Sequence, residues 1–165
     1  MSDFRPSGFS VLPTVVKNLL IINVLFFLAT IAAETVLRID LSDYLGLHYI
    51  GASDFQPYQL VTYMFMHGNF GHLFFNMFAL WMFGNTLENI WGPTKFLIFY
   101  FVCGIGAGLT QELVQYIQYV TTLQDYTSVN MSGTIISMNE YLNTTVGASG
   151  AVYGILLAFG MMFPN

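Results

Sequence analysis

Two short runs hold the residues whose types and spacing could do chemistry: His67-Gly-Asn-Phe-Gly-His72-Leu-Phe-Phe-Asn76 and, far downstream, Gly147-Ala-Ser149-Gly150. Each opens a segment apolar enough to cross a bilayer. Polar side chains in that setting are costly, and they mark function by default. On a helix, residues four apart are separated by about 40° around the axis and face the same way. His72 and Asn76 meet that condition and converge on one point as hydrogen-bond donors. Ser149 falls in the first turn of its helix, where free N–H groups and the positive end of the dipole are available. If Ser149 attacks a carbonyl, the oxyanion can be held by the serine's own N–H together with His72 and Asn76. That is acyl-transfer chemistry carried out where water is scarce.

Other readings of the same residues must be weighed. His67 and His72 are five apart, a rotation of about 140°, whereas a zinc pair on one helix face wants a spacing of four. No Cys or carboxylate cluster completes four ligands, so the pattern calls for no metal and no cofactor. The bland role for His67 is to tie loop backbone at a membrane boundary. Gly150, Gly154 and Ala158 form a small-residue stripe of the kind that lets helices approach closely. Taken alone, Gly147-Ala-Ser149-Gly150 is therefore as well explained by packing. Gly104 and Gly108 make a second such face. Tyr153, four residues after Ser149, shares its side and can pack against an imidazole. Glu88 lies a full helix length from Ser149 and reads as a structural hydrogen-bonding anchor, and Glu112 is expected to emerge near the outer end of its helix. Asn130-Met-Ser and Asn143-Thr-Thr match a glycosylation pattern too common to decide anything.

The elements that must position these groups follow from composition. The chain has 165 residues, 55% hydrophobic and 8% charged, against about 25% charged in soluble domains. Its solvent is lipid. The net charge is -5 and the only basic residues are Arg5, Lys17, Arg38 and Lys95, so there is no basic stripe for nucleic acid. The single Cys103 cannot form an internal disulfide. Apolar runs of about 20 residues suffice to span a bilayer, and four are present: about 17–37, 70–90, 95–119 and 146–163. The fold class expected is all-α, a polytopic transmembrane helix bundle forming one domain over 1–165. Gly92-Pro93-Thr94 separates the second and third runs, with Thr94 the expected N-cap. Polar linkers cover 40–58 and 121–145. Arg5, Lys17 and Lys95 fall on one side and Arg38 on the other, which puts the N-terminal arm, 1–16, in the cytoplasm. The second and fourth helices run in the same direction, so His72, Asn76 and Ser149 share a similar depth.

Taken together, these residues resemble the rhomboid family of intramembrane serine proteases over 59–165. The resemblance rests on Tyr58-Gln-Leu-Val-Thr-Tyr-Met-Phe-Met-His67, the His67/His72/Asn76 pattern, Gly84-Asn-Thr-Leu-Glu88 and Gly147-Ala-Ser149-Gly150 with Tyr153. It implies a six-helix bundle, four of whose helices are present, around a water-filled cavity open to the outer face. Ser149 is then the nucleophile, His72 and Asn76 line the oxyanion hole, and Tyr153 supports the base. Substrates are transmembrane proteins, and the location is a bacterial inner membrane. The family's Trp-Arg pair in the first outer loop is absent. So is its general-base histidine on the sixth helix: the sequence has only His48, His67 and His72. A serine needs an adjacent base, so the expectation is the N-terminal part of a longer enzyme, lacking two helices. In such a piece the Gly150 stripe is expected to face lipid and the bundle to be loose. The alternative is an inactive relative that binds transmembrane clients. A transporter reading finds no paired charges or broken-helix repeats to support it.

Overall fold

The long apolar runs become helices whose ends are set by a few polar, glycine and proline residues. The structure, a computed structural model, describes residues 10–123, 128–131, 134–137 and 144–164. Arg5, Asn143, Asn165 and Ser132 of the first glycosylation pattern lie outside the described residues. Helix α1 (Thr14–Ala32) continues through a π-helical turn, Ala33–Leu37, and stops at Arg38, which takes a left-handed φ of 58°. Short helices α2 (Ser42–Leu45) and α3 (Gln59–Thr62) follow, the latter extended by a 3-10 turn, Tyr63–Phe65. Helix α4 (Phe70–Ala79) runs through a π turn, Leu80–Gly84, into α5 (Asn85–Trp91). The long α6 (Pro93–Gln118) ends in a π turn, Tyr119–Leu123, and α7 (Ser149–Met162) completes the bundle. Four long helical stretches thus lie where the four apolar runs do.

One expectation is corrected at an element end. Thr94 does not cap α6. Gly92, at φ 82°, occupies that position, and Pro93 is the first helical residue. Only glycine adopts this φ at no cost, and proline, lacking an N–H, fits the first turn. The 121–145 linker, expected only to be polar, holds two short strands. Strands β1 (Ser128–Met131) and β2 (Thr134–Ser137) pair antiparallel, with Val129 opposite Ile136. The β-branched residues Val129, Thr134, Ile135 and Ile136 favour this.

Helix α6 forms the centre of the packing, and the small residues decide how close its neighbours come. A Cβ at Gly154 would collide with Cys103, and one at Gly150 with Ala107. The Gly150 stripe therefore faces α6, not lipid, which reverses the sequence expectation. The outer face of α7 is instead Tyr153, Leu157 and Met161, which are 71, 66 and 74% exposed. Gly104 and Gly108 pack as expected, though against the side chains of Met64 and Tyr63. Val16, Leu47, Met64, Leu80, Leu87, Phe96, Tyr100 and Ile155 are buried in one core. Among the described helices, two are long and apolar enough to cross a membrane, Thr14–Leu37 and Pro93–Thr121.

Polar side chains fasten the two ends. At one end, Glu88 accepts from the N–H of Val15 at 2.9 Å and of Val16 at 2.8 Å, so its carboxylate caps α1. This is the anchor its position implied, with a negative group at a helix N-terminus. At the other end, the 40–58 loop is organised by buried Gln59. Its side-chain oxygen accepts from the N–H of His48 and Gln56, and its amide donates to the carbonyls of Tyr44 and Asp54. Glu112, buried on α6, accepts from the N–H of Ile50 at 2.6 Å. Leu47 and Thr145 exchange both backbone hydrogen bonds, at 2.9 and 2.8 Å. That bridge joins the loop to the segment leading into Ser149.

Candidate active site

Asn69 begins the site. Its extended backbone and side-chain oxygen, which accepts from the N–H of His72 at 2.8 Å, cap α4. The cap fixes where the helix starts, and with it the face on which His72 and Asn76 align. On the other side, Ser149 is the first residue of α7, and Ala148 precedes it without a side-chain cap. The N–H groups of that first turn have no partners within the helix.

Gly147 brings the two halves together. Its φ is 125°, a conformation that suits glycine. Its N–H donates to the Tyr63 carbonyl at 2.9 Å. A Cβ placed there would sit 2.6 Å from His72 Cε1 and 2.7 Å from Nε2, with Ser149 Oγ 3.6 Å away. The imidazole and the hydroxyl thus both approach one point beside Gly147. His72, Phe75, Asn76, Ala79, Ser149, Val152, Tyr153 and Leu156 line a single cavity of about 440 Å³. His72, Asn76 and Ser149, expected to share a depth, line one pocket, and Tyr153 lines it with them.

The remaining site residues behave differently. His67 is only 2% exposed, its ring lies edge-on to that of His72 at 5.0 Å, and among the described residues neither ring nitrogen has a partner in hydrogen-bond geometry. Burial above all, and then the His72 ring, lower its pKa from 6.5 to about 4; a contact with the Phe65 backbone opposes this without reaching hydrogen-bond geometry. Asn76 is buried, and its Nδ2 has no partner among the described residues. Gly150 serves packing against Ala107. His48 is engaged within its loop, its Nε2 at 2.8 Å from the Asp43 carbonyl oxygen. Sequence reasoning passed over Asn69 and Tyr63. Asn69 had a local signal, an Asn directly before an apolar run and three residues before His72. Tyr63 had none, because its partners are distant in the chain.

A helical membrane protein with a serine, a histidine and an asparagine around a pocket between two helices is the class that these features define. The family model described as the rhomboid domain matches residues 54–165. The chain belongs to the rhomboid family, whose members are integral membrane proteins. It is 35% identical over 95 residues to rhomboid protease AarA of Providencia stuartii, covering 58% of this chain and 30% of that protein. It is 31% identical over 104 residues to rhomboid-like protease 1 of Toxoplasma gondii, covering 59% and 35%. The chloroplastic rhomboid-like protein 11 of Arabidopsis thaliana is 33% identical over 98 residues, covering 59% and 26%. The matched stretch spans well under half the length of each of these relatives.

Proposed function

We propose that this chain carries the nucleophile and oxyanion site of an intramembrane serine endopeptidase that cuts transmembrane protein substrates. One observation carries the proposal: Ser149, His72 and Asn76, from two different helices, line one cavity. Ser149 Oγ attacks the scissile carbonyl and its proton passes to a base. The new oxyanion accepts hydrogen bonds from the Ser149 N–H, from His72 through Nε2–H and from Asn76 Nδ2. The C–N bond then breaks, the amine leaves with the proton, and water hydrolyses the ester. Losing one oxyanion donor typically raises such a barrier by ~2.7–4 kcal/mol. By the rhomboid resemblance the base is a histidine on a further helix; His67, buried beside His72, and His48, engaged in its loop, are not placed for that role.

Four helical stretches of a six-helix fold cross the membrane in this reading, with 1–16 as the cytoplasmic arm and 59–165 as the core. Lys17 and Lys95 lie at one end of the bundle, and Arg38 lies at the end where the Leu47–Thr145 bridge joins the serine segment. The positive-inside rule then opens the cavity to the outer face of a bacterial cell membrane.

The test is labelling by a serine-reactive phosphonate in the full-length protein, with cleavage of a transmembrane substrate followed in proteoliposomes. Labelling is expected at Ser149, and Ser149→Ala is expected to lose cleavage by about 10⁴-fold or more. Undiminished cleavage by Ser149→Ala would overturn the proposal. Client binding with no labelling and no turnover would favour an inactive binding relative.

A further inference from the structure

Tyr63 packs between α6 and α7, the helix that bears Ser149. Its side chain is only 3% exposed, and its hydroxyl donates to the Gly104 carbonyl on α6 at 2.7 Å. The ring lies over Gly108, where an added Cβ would come within 3.2 Å of Cε1; one at Gly150 on α7 would sit 3.5 Å from the hydroxyl. The phenol thus fills a slot that the glycines of two helices leave open. At the other end of the residue, the Tyr63 carbonyl accepts from the Gly147 N–H at 2.9 Å. Gly147 is where the chain turns, at φ 125°, immediately before Ala148 and Ser149, and the His72 ring packs on its Cα side.

We propose that Tyr63 is a positioning residue for Ser149: a strut fixed to α6 by its hydroxyl, whose carbonyl sets the Gly147 turn and so the approach of Ser149 to His72. The proposal rests on reading Ser149 as a nucleophile. A phenylalanine would fill the same slot. What it lacks is the bond that fixes how deep the ring sits and how it is rotated. Reacting groups must be held closely, since a displacement of about 1 Å can cost on the order of 10²-fold in rate. The strut, together with the Leu47–Thr145 bridge, holds the segment that leads into Ser149.

The experiment compares wild type, Tyr63→Phe and Ile155→Val in the full-length protein. Ile155 is fully buried on α7 and does not line the cavity, so Ile155→Val controls for mere loss of packing. For Tyr63→Phe the expected result is a kcat about tenfold lower at unchanged KM. Phosphonate labelling should slow by the same factor, and hydrogen exchange at the Gly147 amide should speed up. Ile155→Val is expected to lower the melting temperature while leaving kcat and that amide alone. Wild-type labelling and wild-type Gly147 exchange in Tyr63→Phe would overturn the strut. If the wild type is not labelled at Ser149, the catalytic reading fails on its own. Gly147 exchange then still decides the strut: faster exchange in Tyr63→Phe supports it, and unchanged exchange overturns it.

Discussion

Asn76 and Glu88 sit on one continuous helical stretch, about 18 Å apart along its axis, both buried, and they are treated in opposite ways. Glu88 has each carboxylate oxygen occupied by a backbone N–H of α1. A buried charge is tolerable when it is paired or hydrogen-bonded, and here the partner is the positive end of a helix. Among the described residues Asn76 Nδ2, beside a cavity shared with Ser149, has no partner, and neither does either ring nitrogen of His67. Each such group costs roughly 1–3 kcal/mol when left unmade. Saturated polarity at one end fastens helices together. The unpartnered Asn76 Nδ2 is what the proposed oxyanion site requires.

The sharpest way to break this contrast is to truncate both residues. Asn76→Ala is expected to reduce kcat by about 10²–10³-fold, the loss of one oxyanion donor. Its thermal unfolding in detergent should stay close to wild type, because no internal hydrogen bond is lost. Glu88→Ala should do the reverse. Two N–H groups of α1 lose their acceptors, for about 3 kcal/mol of stability, while the folded fraction keeps its turnover per titrated active site. If Asn76→Ala unfolds early and turns over normally, the two ends are not different in kind.

The smallest effect concerns pH. His67, in the loop before α4, has a folded pKa of about 4 against an ordinary 6.5. The unfolded chain therefore binds the proton more readily, and stability is lost as pH falls. Its contribution should be intact above pH 6.5 and should decline from there towards pH 4. Unfolding curves of wild type and His67→Phe should diverge across that window, with the variant flatter. Parallel curves would mean that burial does not perturb the imidazole.

Local patterns reported this molecule well, and long-range pairings did not. The apolar runs gave the four helical stretches to within a few residues, since burial and lipid exposure both demand apolar side chains along a whole helix. The spacing of four between His72 and Asn76, and the parallel sense of their helix and the one bearing Ser149, gave the pocket. Thr94 was misread because threonine is a good cap, yet the Gly92-Pro93 pair settles the boundary first. The stripe from Gly150 was given the wrong direction, because spacing identifies a small-residue face but not which neighbour it meets. Gln59 and Tyr63 were silent. Tyr44 lies 15 residues from Gln59 and Gly104 lies 41 from Tyr63, beyond any periodicity that a single segment displays.

The most direct measurement is the structure of the full-length protein after reaction with a serine phosphonate. Phosphorus should be bonded to Ser149 Oγ, with the phosphoryl oxygen within about 3.1 Å of His72 Nε2, Asn76 Nδ2 and the Ser149 N–H. An adduct on another residue, or a phosphoryl oxygen turned away from both His72 and Asn76, would contradict the account.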